Sequence, residues 1–199
     1  MLRLFLTVSV LSWQQLAAQD EVENFCYEND CIEPAEVIVD KNYEEKKFLH
    51  LQAVQTVVTG VDMNRAIETG LEKLFNYSHF SNAAGTIVPI SAPWGVFESI
   101  ENGTMEQTFI IYVLIVAEVI TPPEPTDQTV QLESRSFDWY YVRVFDQKVD
   151  EQQYEKLVTE FRQDLEQDNQ HFDPRFSISF YSTHGLMQIA FRKIVNPLG

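Results

Sequence analysis

Four histidines, two cysteines and a scatter of carboxylates are the groups in this chain able to hold a metal or move a proton. His184 sits in Thr183-His184-Gly185, a turn signature between two apolar runs, where an imidazole can reach a ligand from a loop. A lone histidine is weak evidence for a metal, so an exposed turn residue is the plainer reading. His50 falls on the less apolar face of a strand pattern. His79 and His171 follow helical patterns, where an imidazolium complements the C-terminal dipole. Cys26 and Cys31 share one short window, and a disulfide is the favoured pairing in an oxidising compartment. The alternative, a metal pair, would be half a zinc site with no histidine nearby. Nucleophilic catalysis needs a serine or cysteine beside a positioned base, and no Gly-x-Ser-x-Gly, His-Glu-x-x-His or P-loop motif occurs. Carboxylates are plentiful, but abundance alone makes no acid–base pair. The chain reads as a binding protein, not an enzyme.

Charge and targeting narrow the partners. The net charge is −16 and the 14 Lys and Arg are scattered, so there is no cation cluster to release counter-ions from phosphates. Nucleic acid and anionic membrane surfaces are poor partners on that ground. Residues 1–18 carry Arg3, an apolar run from Leu4 to Trp13 and the small-residue step Leu16-Ala17-Ala18. This is the pattern of a secretory signal peptide, too short to span a bilayer. The sequons Asn76-Tyr77-Ser78 and Asn102-Gly103-Thr104 suit a secreted, extracellular glycoprotein. Phe109 to Ala117 is apolar and β-branched, about half the length of a membrane span, and reads as a strand buried on both faces. A soluble mature protein without a membrane anchor is expected.

The elements that must position these groups repeat. Strand, amphipathic helix, strand, strand runs once over about 43–119 and again over about 136–195. In the first pass Leu49, Leu51, Ala53 and Val57 alternate with Phe48, His50, Gln52 and Thr56. A helix from near Asp62 to Tyr77 places Met63, Ala66, Ile67, Leu71 and Leu74 on one stripe, with Lys73 beside it. Thr86 to Phe97 contains two prolines and reads as an edge or bulged strand. Glu101 to Thr104 is a hairpin turn, and Thr121 to Asp127 a stiff proline-rich connector. Val130 to Leu132 reads as a short separate strand. In the second pass Phe137, Trp139 and Tyr141 oppose Asp138, Tyr140 and Val142. A helix to about Asn169 then buries Tyr154, Leu157, Val158, Phe161 and Leu165, and a last hairpin follows. Residues 19–35 form an acidic extension bearing the cysteine pair, and 36–199 one domain. The class is α+β: duplicated β-α-β-β units whose two helices lie on one side of an antiparallel sheet or flank a distorted antiparallel barrel.

Three stretches, in this order on this layout, resemble the SOUL/heme-binding protein family. Ala66-Ile-Glu-Thr-Gly-Leu-Glu-Lys-Leu-Phe-Asn-Tyr77 is similar to its first helix. Thr86-Ile-Val-Pro-Ile-Ser91 resembles its Val-Pro-Ile-Ser strand, and Thr121-Pro-Pro-Glu-Pro to Arg135 its Pro-Pro-x-Pro connector. The resemblance covers about Glu36 to Val195. It implies an apolar groove beside the first helix that takes heme or another tetrapyrrole, lined by Ile67, Leu71 and Leu74. Lys73 would meet a carboxylate, and His184, in the loop that rims the groove, could ligate heme iron; no free metal is implied. Trp94, Trp139 and Tyr141 could stack on a flat ligand. The chain departs from the family in four places: the signal peptide, Lys47 where some members carry a histidine, Glu68 where others carry a cation, and a shortened last hairpin. The expected function is secreted carriage of heme, a tetrapyrrole or a similar flat apolar molecule. The alternative is a secreted glycoprotein that binds an extracellular protein and has lost heme.

Overall fold

The computed structural model describes residues 34–40, 42–101, 104–145, 149, 151–181 and 187–195. Residues 1–18, Cys26, Cys31, Asn102 and His184 therefore lie outside the described residues. The elements run β1 (Glu36–Asp40), β2 (Tyr43–Thr59), α1 (Met63–Ser78), β3 (Ile90–Glu101), β4 (Thr104–Ile115), β5 (Val130–Phe145), α2 (Glu151–Gln167), β6 (Phe176–Tyr181) and β7 (Met187–Arg192).

Every strand pairing is antiparallel, in the order β1-β2-β4-β3-β6-β7-β5, and β5 pairs back onto β2 to close a ring. The ring is uneven because β2 and β5 are much longer than β6 and β7. Along β2 the first half pairs with β1 and the second with β4, while Glu44 to Thr56 pairs with β5 on the other side. The duplication is now geometric. β2-α1-β3-β4 and β5-α2-β6-β7 are equivalent units, joined first strand to first strand (β2–β5) and post-helix strand to post-helix strand (β3–β6).

Local chemistry explains the helices. Asp62 caps α1 by accepting from the Arg65 amide at 2.9 Å, which satisfies one of the free donors of the first turn. Met63, Ala66, Gly70, Leu74 and Tyr77 form its buried face. Gly70 is required there: a Cβ would overlap Ile111 on β4, so the missing side chain sets how closely helix and sheet approach. Helix α2 buries Tyr154, Val158, Phe161 and Leu165 at helical spacing, as the sequence pattern indicates.

One core lies between these helices and the outer face of the ring. Tyr112, Leu114, Tyr140, Val142, Ile178 and Ala190 make a second cluster on the opposite face of the strands, inside the ring. Its polar end holds ion pairs between Lys46 and Glu44 at 2.9 Å and between Arg192 and Asp138 at 2.7 Å. Pairing lets Lys46 and Asp138 stay buried, while Arg192 reaches in from the surface.

One sequence expectation is resolved and two change. The segment with two prolines takes the bulged form of its two readings and not the edge form: β3, which contains Pro93 and follows Pro89, pairs with both β4 and β6. Its register jumps between Ser91 and Trp94, and that bulge accommodates Pro93, which has no amide to donate. Val130 to Leu132 is not a separate strand but the start of β5, whose polar middle conceals its continuity in the sequence. The alternation along β2 resets at His50, whose φ is 57°. Lys46 is buried and Phe48 packs on the inner cluster before that point, whereas Ala53 does so after it and Val54 joins the outer core.

Candidate functional site

Helix α1 lies across β2 and β4, and α2 lies over β6 and β7. The strip of outer sheet between them is β3. Two flanks of α1 therefore meet different surroundings. Lys73 Nζ donates to Thr129 Oγ1 at 3.0 Å, so that flank faces the connector before β5. Ile67 and Leu71, on the opposite side of the buried face, look toward β3 and α2.

Toward β3 the surface is apolar and aromatic. Ile67, Leu71, Trp94 and Tyr181 are half-buried and pack on the outer core. Trp94 and Tyr181, paired across β3 and β6, stack with ring centroids 4.5 Å apart and planes 13° apart. Further along the same face of β3 and β6 lies a polar layer. Tyr154, fully buried, shares hydrogen bonds with Ser177 Oγ at 3.1 Å and Ser179 Oγ at 2.8 Å. Glu98, 6% exposed, pairs in register with Ser177. Burial, and secondarily the Glu98 charge, push the Tyr154 phenol well above its ordinary value. Burial pushes Tyr181 up to about 12, with the Glu98 charge adding to the rise. Both phenols stay protonated near neutral pH and act as hydrogen-bonding groups, not as bases. Ser177 and Ser179 thus meet at the single Tyr154 hydroxyl.

On the other flank is a crevice of about 290 Å³, lined by Lys73, Asn76, Tyr77, Ser81, Thr126, Asp127 and Val130. Asp127 accepts from the Thr129 amide and hydroxyl, both at 2.8 Å, and these bonds hold its carboxyl below the usual range. Tyr77 donates to the Pro123 carbonyl at 2.8 Å. Ligand pockets for drug-sized molecules run from roughly 300 to 1,000 Å³. This crevice is at the lower limit and too small for a tetrapyrrole.

The structure thus separates residues that the sequence groups together. Ile67 and Leu71 reach the apolar cleft. Leu74 is fully buried in the core, and Lys73 belongs to the polar crevice. Asn76 is exposed on α1. Tyr141 is buried and bonded to Gln170 at 2.8 Å, while Trp139 carries the Lys47 and Lys193 ammonium groups 5.2 and 5.5 Å from its ring centre. Of the three aromatic candidates only Trp94 lies at the cleft. Lys47, standing where some relatives have histidine, forms an ion pair with Glu36 at 3.8 Å. His79 Nδ1 lies 2.9 Å from the Phe75 carbonyl at the end of α1, and His50 and His171 are exposed elsewhere. Among the described residues no group of three or more His, Cys, Asp or Glu could hold a metal, and no helix is long and apolar enough to cross a membrane. Glu98, Tyr154 and Tyr181 escaped sequence reasoning. Glu98 alternates with Trp94 and Val96, and that period was the signal placing it on the buried face.

Comparison with known proteins agrees with this architecture. The pattern of the SOUL heme-binding protein family matches residues 31–193. The chain belongs to that family. It is 28% identical over 138 residues to Heme-binding protein 2 of Homo sapiens, covering 67% of this chain and 66% of that protein. Heme-binding protein 2 of Mus musculus is 31% identical over 109 residues, covering 53% of this chain and 52% of that protein. The chain thus spans between half and two thirds of the length of these relatives. Among solved structures, a hydrolase from Listeria innocua superposes with a TM-score of 0.55 at 10% identity, covering 79% of this chain and 94% of that one. A second Listeria innocua hydrolase gives 0.53 at 10% identity, covering 78% and 93%. At that identity the likeness is one of fold.

Proposed function

We propose that this SOUL-family member is a secreted, non-enzymatic carrier of heme, another tetrapyrrole or a similarly flat apolar molecule, bound between α1 and α2. The observation that carries this reading is the stacked Trp94–Tyr181 pair on β3 and β6, with half-buried Ile67 and Leu71 on the flank of α1 away from Lys73. Side chains of this kind bury a flat ring by contact area, while a few polar groups orient it. This group offers apolar and aromatic contact surface. It does not supply an iron ligand, since the described histidines lie elsewhere. Bound heme would bring its redox-active iron, and these residues would contribute apolar contact and shielding from water. Carboxylates of such a ligand would point away from Glu98, because a buried negative charge repels them. A secreted setting would permit a Cys26–Cys31 disulfide and glycans at the Asn76 and Asn102 sequons.

A hemin titration followed by Soret absorbance tests the reading. Saturation near one equivalent is expected, with at least about tenfold weaker binding in Leu71→Asp, since burying an unpaired charge costs several kcal/mol. A parallel His184→Ala titration that leaves the spectrum unchanged identifies cleft binding without that ligand; a changed spectrum identifies His184 as ligating. Absence of saturable binding sinks the heme reading. It would favour the alternative, an extracellular protein-binding glycoprotein, which the diversion of Lys47 to Glu36 and Trp139 already supports.

A further inference from the structure

We infer that Asn76 carries an N-linked glycan whose first sugar sits in the polar crevice on the Lys73 flank of α1, leaving the apolar flank open to ligand. The inference rests on the secreted reading above. Two independent observations coincide. Asn76-Tyr77-Ser78 is a sequon, and its asparagine is exposed while the next two residues are buried, so the acceptor amide is the outward group. That same asparagine lines the crevice of about 290 Å³. Burial of Ser78, whose hydroxyl donates to the Val88 carbonyl at 2.7 Å, poses no obstacle to a sugar added before the helix packs.

The wall chemistry suits a sugar. Lys73 uses one of its three ammonium protons on Thr129, leaving donors for sugar hydroxyls or the acetamide oxygen. Asp127 is an acceptor on the opposite wall, and the Ser81 and Thr126 side chains can act in either sense. Thr126 Oγ1 already donates to the Ser81 carbonyl at 2.9 Å, which fixes that edge of the crevice. Val130 supplies an apolar patch for a ring face. Lys73 and Asn76 are three residues apart on one helical face, and Ile67 and Leu71 lie on the far flank. A glycan at Asn76 therefore shields the connector and leaves the Trp94–Tyr181 cleft uncovered.

The test expresses the full chain in a mammalian secretory host, once with its own N-terminus and once behind a heterologous leader. Asn102→Gln leaves Asn76 as the sole Asn-x-Ser/Thr sequon, and Asn76→Gln removes it. Peptide mapping before and after enzymatic deglycosylation is expected to find Asn76 occupied. Amine-reactive labelling of Lys73 is expected to be several-fold slower in glycosylated Asn102→Gln than in its deglycosylated form or in Asn76→Gln. Hemin affinity is expected to be equal across all three. An unmodified Asn76 behind both leaders overturns the inference. So does unaltered Lys73 reactivity, or a glycan that weakens hemin binding. Occupancy with the heterologous leader alone refutes native secretion and still supports the seat.

Discussion

Tyr181 and Tyr154 make the polar layer beside the cleft a titration probe. An unperturbed tyrosine loses its proton near pH 10.0, whereas Tyr181 in the fold holds it to about 12. Between those values the native state keeps a proton that the unfolded chain has released. Stability must then fall as pH rises through that window, and the contribution is intact below it. Two pH units correspond to at most about 2–3 kcal/mol for this group. Tyr154 acts in the same direction, because burial raises it too. The expected result is an alkaline loss of thermal stability starting near pH 10, smaller in Tyr181→Phe, with phenolate absorbance rising late. A variant whose stability declines as steeply as wild type would show that Tyr181 is not the group held. Near neutral pH neither phenol changes charge, so ligand binding should owe no pH dependence to them. Glu98, which helps raise both, shares its alternation with Trp94 and Val96, a signal the sequence reading leaves unused. Tyr154 is legible only as a buried helix position, because its meeting with Glu98 and Tyr181 is set by α2 and β6, more than fifty residues downstream.

At the scale of elements, the stripe on α1 could be read from its period, but its division into two flanks could not. That division depends on Thr129 and Trp94 arriving on opposite sides, and each is brought there by strand pairing with no local signature. β5 was split in the sequence reading for a related reason. Its middle is polar, and only the register with β2 shows it to be continuous. Gly70 is the element-scale residue whose role composition concealed. Glycine inside a helix costs about 1 kcal/mol relative to alanine, so Gly70→Ala should stabilise an isolated α1. In the fold the new methyl group meets fully buried Ile111, and overpacking typically costs about 1–3 kcal/mol. The packing cost wins. Gly70→Ala should lower the urea midpoint by a net amount equivalent to up to about 2 kcal/mol, the overpacking cost less the helix-propensity gain. In the Gly70→Ala background, Ile111→Ala should cost less than it does alone, because it vacates the overlapping volume. Additive costs would show that the helix simply moves aside, and that contact with Ile111 does not set its approach.

For the whole molecule, the relevant quantity is a net charge of −16 acting on a ligand whose own ionised groups are carboxylates. Ring closure and duplication build the cleft, but long-range charge governs how quickly an anionic porphyrin reaches it. The Debye length is about 30 Å at 0.01 M salt and about 8 Å at 0.15 M, so in dilute buffer the whole acidic surface repels the approaching hemin. Steering effects of this kind span tenfold or more in rate, and here their sign is unfavourable. Hemin association should therefore accelerate as salt rises from 0.01 to 0.15 M, while dissociation changes little because the contacts made on binding are apolar. A porphyrin lacking carboxylates should show no such acceleration. The local alternative is that Lys73 attracts the propionates, and it predicts the opposite slope. Lys73 bonds to Thr129 on the flank away from the cleft, beside Asp127, and Glu98 adds a negative charge next to the cleft itself. Stopped-flow association rates at two salt concentrations separate the cases. An increase places the porphyrin in the field of the acidic molecule, and a decrease requires a cation at the mouth of the cleft.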